Sequence, residues 1–383
     1  MNIAISHGAT TMYSSPAPAE QLMVATIDGI VTLQKSGPGD WRTASSVLPG
    51  RHVHAIIEEP RSHTLLAGCW HDGLYASEDG GASWSPRNQN LPPSLRSIYS
   101  LTAVPVEGRT RLFAGTEPAH LMVSDDLGVN WQELTTFRNI PNVAQWRFAG
   151  EPFTGHAKHI NFDASNPRIM YVCIEVGAFL KSTDGGETWT PLAVPHPDMH
   201  RSVIDPRNPS RIFTTGGGGL QLSLDAGSTW RQILSRESAI GQYPDQLMIR
   251  LTRPDTMVLG CAEFSPRSWL DGRYAGGAIA KSEDGGESWR QVRGGLPERT
   301  HGAIEAMCQV ELPDGGAEYF FGTTDGEIWH GEDEGERWTL IATVAPVSKS
   351  IHMEMLTGNP TTPLVRPDGT PWLPKPQAAS ANL

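Results

Sequence analysis

One eight-residue phrase, S-x-D-x-G-x-x-W, constrains this chain more than any other feature. It stands at 77–84 as SEDGGASW and at 124–131 as SDDLGVNW, then at 182–189, 223–230 and 282–289. At 331–338 it recurs as GEDEGERW, lacking only the serine. A phrase repeated at intervals of about 40–60 residues marks a stack of similar units, each too small to bury its own apolar face. The residue types suit a hairpin turn. Short Asp and Ser side chains satisfy local amides, glycine takes up positive φ, and tryptophan buries a large apolar body beside the turn. The phrase is therefore a structural staple, and chemistry must be sought elsewhere.

The strand pattern around the phrase repeats as well. HVHAIIEEP, TLLAGCW and GLYASEDGG precede the first copy, and KHINFDASNP, RIMYVCIEVG and AFLKSTDGG precede the third. Each unit reads as three strands, the turn, and a fourth strand. This spacing resembles the Asp-box of the BNR-repeat β-propellers, a family that includes sialidases, sortilin-like receptors and photosystem assembly factors. The resemblance covers nearly the whole chain. It implies an all-β propeller with the boxes on the rim, away from any ligand.

The tryptophans at 84, 131, 189, 230, 289 and 338 give six blades. A seventh is expected from QLMVATIDGIVTLQKSGPGDW, which runs into a degenerate box at Trp41 but has no inner strand before it. SKSIHMEML, near 348–358, is expected to supply that strand, closing the ring by exchange between the termini and removing exposed sheet edges. The expectation is one seven-bladed β-propeller over 1–358 and a Pro- and Ala-rich tail over 359–383.

Composition narrows the partners. With 40 Gly, 30 Pro and 19% charged residues the chain is turn-rich and globular. A net charge of −12 argues against nucleic acid, whose binders present a basic face. The absence of a long apolar run argues against a membrane span. Cys69, Cys173, Cys261 and Cys308 lie in apolar strand-like runs without metal or redox spacing, which suggests reduced core thiols and a cytoplasmic setting.

Histidines crowd the end where inner strands begin, referred to below as the mouth face. His52 and His54 open the second blade, His156 and His159 the fourth, His200 the fifth and His301 the seventh, with His352 on the closing strand. His71, His120 and His196 fall in loops of that face, while His7, His63 and His330 read as surface residues. Registering the inner strands on the residue that ends them places His54, Tyr99, Lys158, His200 and Met248 at equivalent positions. A one-residue slip would exchange Lys158 for His159. Imidazoles converging from rigid strands suit a divalent Fe, Mn, Zn, Cu or Ni ion, and the candidate ligands are His54, His159, His200, His301 and His352. Tyr99, Glu175, Arg201 and Glu263 are candidate catalytic groups. Glu117, Glu175 and Glu263 are each placed to orient an imidazole or act as base.

Two long loops overhang the same face, FRNIPNVAQWRFAGEPFTG and CAEFSPRSWLDGRYAGG. Together with His52, Trp70, His71 and Lys158, their Trp146, Arg147, Trp269, Arg273 and Tyr274 would make aromatic walls and anion clamps. The leading expectation is a metal-dependent hydrolase, lyase or oxygenase acting on a small polar substrate. The alternative is a non-catalytic scaffold holding a protein or ligand on the mouth face, with a homo-oligomer also compatible. Exo-sialidase activity ranks last, because the early arginine motif is missing and only Arg201, Arg250 and Arg299 remain to form a triad. The lack of an export signal and of an arginine-rich face argues against the photosystem-assembly branch.

Overall fold

The computed structural model describes residues 2–348 except 10, 38, 107, 142, 148–153, 264 and 267–273. Six four-stranded sheets and one five-stranded sheet form the ring. Blade 1 comprises Ile3–Ile5, Gln21–Thr26, Gly29–Gly37 and Asp40–Val47. The inner strands of blades 2 to 7 are Val53–Glu58, Ser97–Val106, His156–Asp163, Met199–Asp205, Tyr243–Ile249 and Ile304–Glu311. Each pairs antiparallel with the next strand outward.

Both faces of every blade are covered, which is why the strands read as near-continuous apolar runs. Alternate residues pack against opposite neighbours. Leu247 and Ile249 join the cluster shared with blade 5, whereas Met248 joins the one shared with blade 7. Met248 is thus a core residue, and the expectation that it faces the axis is corrected.

Each box closes its turn with the same bonds. In the first, Ser77 Oγ donates to Asp79 Oδ1 at 2.7 Å, Gly81 N donates to Ser77 Oγ at 2.8 Å, and Ser83 N donates to Asp79 Oδ1 at 2.9 Å. Gly81 takes a φ of 94°, the left-handed region that glycine enters without a Cβ clash. The bonds recur around Asp126, Asp184, Asp225 and Asp284. All five boxes lie at the end of the ring opposite the mouth face.

Ring closure departs from the expectation. The inner edge of Gln21–Thr26 is taken by Ile3–Ile5, running parallel to it; the strand expected near 348–358 lies, after Ser348, outside the described residues. The chain then turns at 6–9 and returns as Met12–Ser14, parallel to Gln309–Glu311 on the inner edge of blade 7. The N-terminal segment therefore forms a loop inside the ring, where an open channel was expected. The physical reason is local. Ile3, Ala4 and Ile5 are apolar enough to be buried on both faces, and the loop at Gly8 fits only because glycine carries no Cβ: one built there would lie 1.9 Å from the Tyr99 carbonyl oxygen.

Candidate functional site: a buried polar ring at the channel mouth

Every inner strand from blade 2 to blade 7 breaks its register at one residue near its start. The breaks fall between Val53 and Ala55, Ile98 and Ser100, Ala157 and His159, Met199 and Arg201, Pro244 and Gln246, and Ile304 and Ala306. A bulge leaves one residue unpaired and re-aims its side chain. The six bulged residues are His54, Tyr99, Lys158, His200, Asp245 and Glu305, one polar group from each blade, and all are buried.

The tip of the N-terminal loop sits against this ring. Gly8 N donates to the His54 carbonyl at 2.8 Å, and Leu101 N donates to the Gly8 carbonyl at 2.9 Å. Arg201 Nη2 donates to the His7 carbonyl at 2.7 Å, and Nη1 to the Ala9 carbonyl at 3.4 Å. His7, expected at the surface, is 2% exposed and lies 3.8 Å from Asp245 and 3.9 Å from Glu305. Burial pushes its pKa down to about 3, so it stays neutral.

On one side of the mouth the rings stack. His52 and His54 lie 4.1 Å apart, His54 and Tyr99 4.4 Å, and Tyr99 and His156 4.0 Å between centroids. Trp70 meets His52 edge-on and covers the ring of His71, which is exposed. Burial and then the nearby carboxylates hold the Tyr99 phenol well above its usual range, so it remains protonated.

The other side is ionic. Lys158 Nζ lies 3.0 Å from Glu175 Oε1 and 3.2 Å from Asp245 Oδ2. Burial alone would favour neutral lysine, but these two carboxylates raise its pKa and keep it charged. Burial likewise opposes ionisation of Glu175, yet Lys158 and His156, which bonds Glu175 Oε2, hold its pKa well below the usual range. His200 Nδ1 donates to the Pro244 carbonyl at 3.1 Å. Its Nε2 faces Asp198 Oδ1 at 3.3 Å, Glu175 Oε1 at 3.7 Å and the Tyr243 hydroxyl at 3.2 Å. Burial and Lys158 oppose protonation of His200, but Asp198 outweighs them and raises its pKa. Among the described residues, Glu175, Asp198 and His200 are the group whose donor atoms lie close enough, within 4.8 Å of one another, to share an ion.

Among the described residues the expected histidine ligands do not converge on one point. His54 stacks in the ring and His200 sits among carboxylates, but His159 falls on the paired side of the bulge, opposite Cys173, and accepts from Ser202 N at 3.4 Å. His301 is exposed in a loop, bonded to Asp325 at 2.5 Å, because the residue blade 7 sends inward is Glu305. His352, Trp269 and Arg273 lie outside the described residues. Arg201, Arg250 and Arg299 form no triad. Arg250 pairs with Glu311 at the far end of its strand, and Arg299 bonds loop carbonyls. Glu263 is half-buried near Gly276, away from the ring. His330, expected at the surface, is buried against Phe320 and Glu318, whereas His63 is exposed as expected. The four cysteines are free and buried.

Asp245, Glu305, Asp198 and Tyr243 are site residues that sequence reasoning misses. A signal existed, a lone polar residue two or three positions into an apolar inner strand. Beside the ring, a pocket of about 420 Å³ is lined by Arg138, Trp146, Arg147 and Thr154 among others. Trp146 is buried there and Arg147 exposed. Tyr274 is exposed at the rim, edge-on to His301.

No family model matches the chain. The photosystem II assembly lipoprotein Ycf48 of Synechococcus sp. (strain CC9902) is 27% identical over 277 residues, covering 65% of this chain and 77% of that protein. A xyloglucanase of Paenibacillus sp is 30% identical over 194 residues, covering 44% of this chain but only 18% of the enzyme. Among solved structures, the GH74 xyloglucanase from Xanthomonas campestris matches 88% of this chain and 55% of its own, with TM-score 0.60 and 17% identity. YCF48 bound to D1 peptide matches 82% of this chain and 96% of its own, with TM-score 0.52 and 17% identity. These structural likenesses concern the fold. The likeness in sequence reaches the photosystem-assembly branch that the sequence features argue against.

Proposed function

This chain belongs to the BNR/Asp-box repeat β-propeller superfamily, and we propose that within it the protein is a non-catalytic binding scaffold that holds a segment of a protein partner on its mouth face. The observation that carries this reading is the filled channel. The N-terminal loop lies inside the ring, bonded to blades 2, 3, 5 and 7, and takes up space that a substrate entering along the axis would need. What remains is a broad platform with a side pocket bearing two arginines and a tryptophan, chemistry suited to a peptide carboxylate beside an apolar side chain. A neighbour of the same fold is described as bound to a peptide, and the Ycf48 relative is described as an assembly factor, which favours a protein partner over a small-molecule substrate. A metal-dependent hydrolase, lyase or oxygenase draws no comparable support from the relatives.

The test is site-specific photo-crosslinking in cells, with the photoreactive residue placed at 147 in the full chain and, as a control, at 231 on the opposite face. One discrete adduct from position 147, absent from 231 and lost in Arg138→Glu, supports the reading. Equal labelling from both positions, or turnover of a glycan by the purified protein, overturns it.

A further inference from the structure

We propose that Glu175, Asp198 and His200 form a binding site for a divalent transition-metal ion, Zn²⁺ or Mn²⁺, at the mouth of the propeller. The inference stands apart from the scaffold reading and uses a different set of residues from the pocket.

The geometry begins with His200. Its Nδ1–H is committed to the Pro244 carbonyl at 3.1 Å, which leaves Nε2 facing the carboxylates, where an ion could replace a proton. Metal-bound histidines characteristically give their second ring N–H to such an acceptor, fixing the tautomer and the ring. Three electron-pair donors then face one point, His200 Nε2, Asp198 Oδ1 and Glu175 Oε1. Bonds of about 2.0–2.2 Å to a common ion place neighbouring ligands roughly 3.0–3.5 Å apart. The separations from Nε2 are 3.3 Å and 3.7 Å, and all three donor atoms lie within 4.8 Å of one another, so an ion would draw the carboxylates together.

Asp198 Oδ1 supplies an independent sign. The atom is shut off from solvent, and its ionic neighbour there is His200 Nε2 at 3.3 Å. Its other oxygen, Oδ2, accepts from the Tyr243 hydroxyl at 3.3 Å. A carboxylate oxygen withdrawn from water is stabilised by positive charge, and a cation at this point would serve both Asp198 and Glu175.

Charge points the same way. Glu175, Asp198, Asp245 and Glu305 stand against Lys158 and Arg201, an excess of two negative charges that a proton on His200 offsets in part and a divalent ion in its place would cancel. Lys158 bonds the Glu175 oxygen that would also meet the ion, and it would remain as a bridge between Glu175 and Asp245. Two carboxylates with one imidazole suit Mn²⁺ and Zn²⁺ better than a thiolate-seeking ion. Asp198 is the most exposed member at 16%, so the ion would enter from the mouth face and keep open positions there.

The experiment is isothermal titration of the full chain, stripped with a chelator and dialysed, with ZnCl₂ and MnCl₂. The expected result is one equivalent bound with micromolar or tighter affinity. Asp198→Asn, close to isosteric at a partly exposed position, should weaken binding at least tenfold. His200→Gln should do the same, while His63→Ala at an exposed histidine leaves binding unchanged. No binding by the wild type at 1 mM metal would overturn the proposal, as would wild-type affinity in Asp198→Asn. If His200→Gln fails to fold, the Asp198→Asn comparison alone decides.

Discussion

Arg201 donates from its guanidinium to the carbonyl oxygen of His7 at 2.7 Å, joining the fifth blade to a residue 194 positions earlier. The side chain is buried, and its second nitrogen reaches the Ala9 carbonyl. It is the charged anchor that fastens the N-terminal loop inside the ring. Replacing Arg201 with Ala should cost about 2–4 kcal/mol, since two buried carbonyls lose their donor. Hydrogen exchange should rise at residues 2–9 before it rises in the outer strands. Unchanged protection at residues 2–9 would show that the loop is held by its backbone bonds alone.

Gly8 tests the same seating sterically. A Cβ at this position would meet the Tyr99 carbonyl oxygen at 1.9 Å and the carbonyl carbon at 3.0 Å, both backbone atoms of a paired strand. Gly8→Ala is therefore expected to destabilise the protein by about 2 kcal/mol or more, seen as a lower Tm. Gly80→Ala gives the control for an added methyl with nothing within 4 Å, at a position where φ is also positive. Gly8→Ala should be the more damaging of the two.

Acid should weaken the ring through histidines held neutral. Burial, with Arg201 nearby, keeps His159 well below the usual histidine range, and burial holds His7 at about 3. The unfolded chain takes up a proton at each near pH 6.5. The folded state is thus fully favoured above that pH and loses ground as pH falls towards the folded values. At pH 5 the loss is about 2 kcal/mol for each such histidine. His200 shifts in the opposite direction, so the informative quantity is a difference between proteins. Urea unfolding at pH 7.5 and 5.0 should show His159→Gln losing about 2 kcal/mol less than wild type across the interval. Equal losses would mean that His159 is protonated in the fold.

The boxes should matter to stability and to nothing on the mouth face. Asp225 accepts from the Thr229 amide at 2.8 Å, the Thr229 hydroxyl at 2.6 Å and Ser223 at 2.8 Å, and these bonds draw its pKa down to about 2. Its contribution is present above the ordinary aspartate range and is lost as pH falls through the folded value. Asp225→Ala is expected to lower Tm at pH 7, with the difference from wild type shrinking near pH 2. Crosslinking from position 147 and metal titration should be unchanged. A changed metal affinity would mean that the two ends of the ring are coupled.

How much of this was legible depended on what the sequence repeats. The boxes recur at a fixed spacing, so six blades can be counted from them, while the propeller follows from the resemblance to the Asp-box family and the seventh blade from the degenerate turn at Trp41. His54, Tyr99, Lys158 and His200 were found because their strands share a common end. Asp245 escaped because blade 6 places seven residues between Ile249 and Met257, where blade 5 places only two between Asp205 and Asn208, so counting back from the turn landed on Met248. Glu305 was missed beside the more conspicuous His301. His7 was invisible for a different reason. It lies in a segment without repeats, whose burial depends on partners from four blades that only the closed ring brings together.

The N-terminal loop also imposes an order on biosynthesis. Met12–Ser14 leaves the ribosome well before its partner strand, Gln309–Glu311, which follows about 300 residues later. Until then an apolar strand waits without its mate while six blades accumulate around a missing neighbour. Contacts this distant in sequence are slow to form and leave aggregation-prone edges exposed during the delay. The finished ring is therefore locked by a strand made long before its mate, and the nascent chain depends most on protection of that strand.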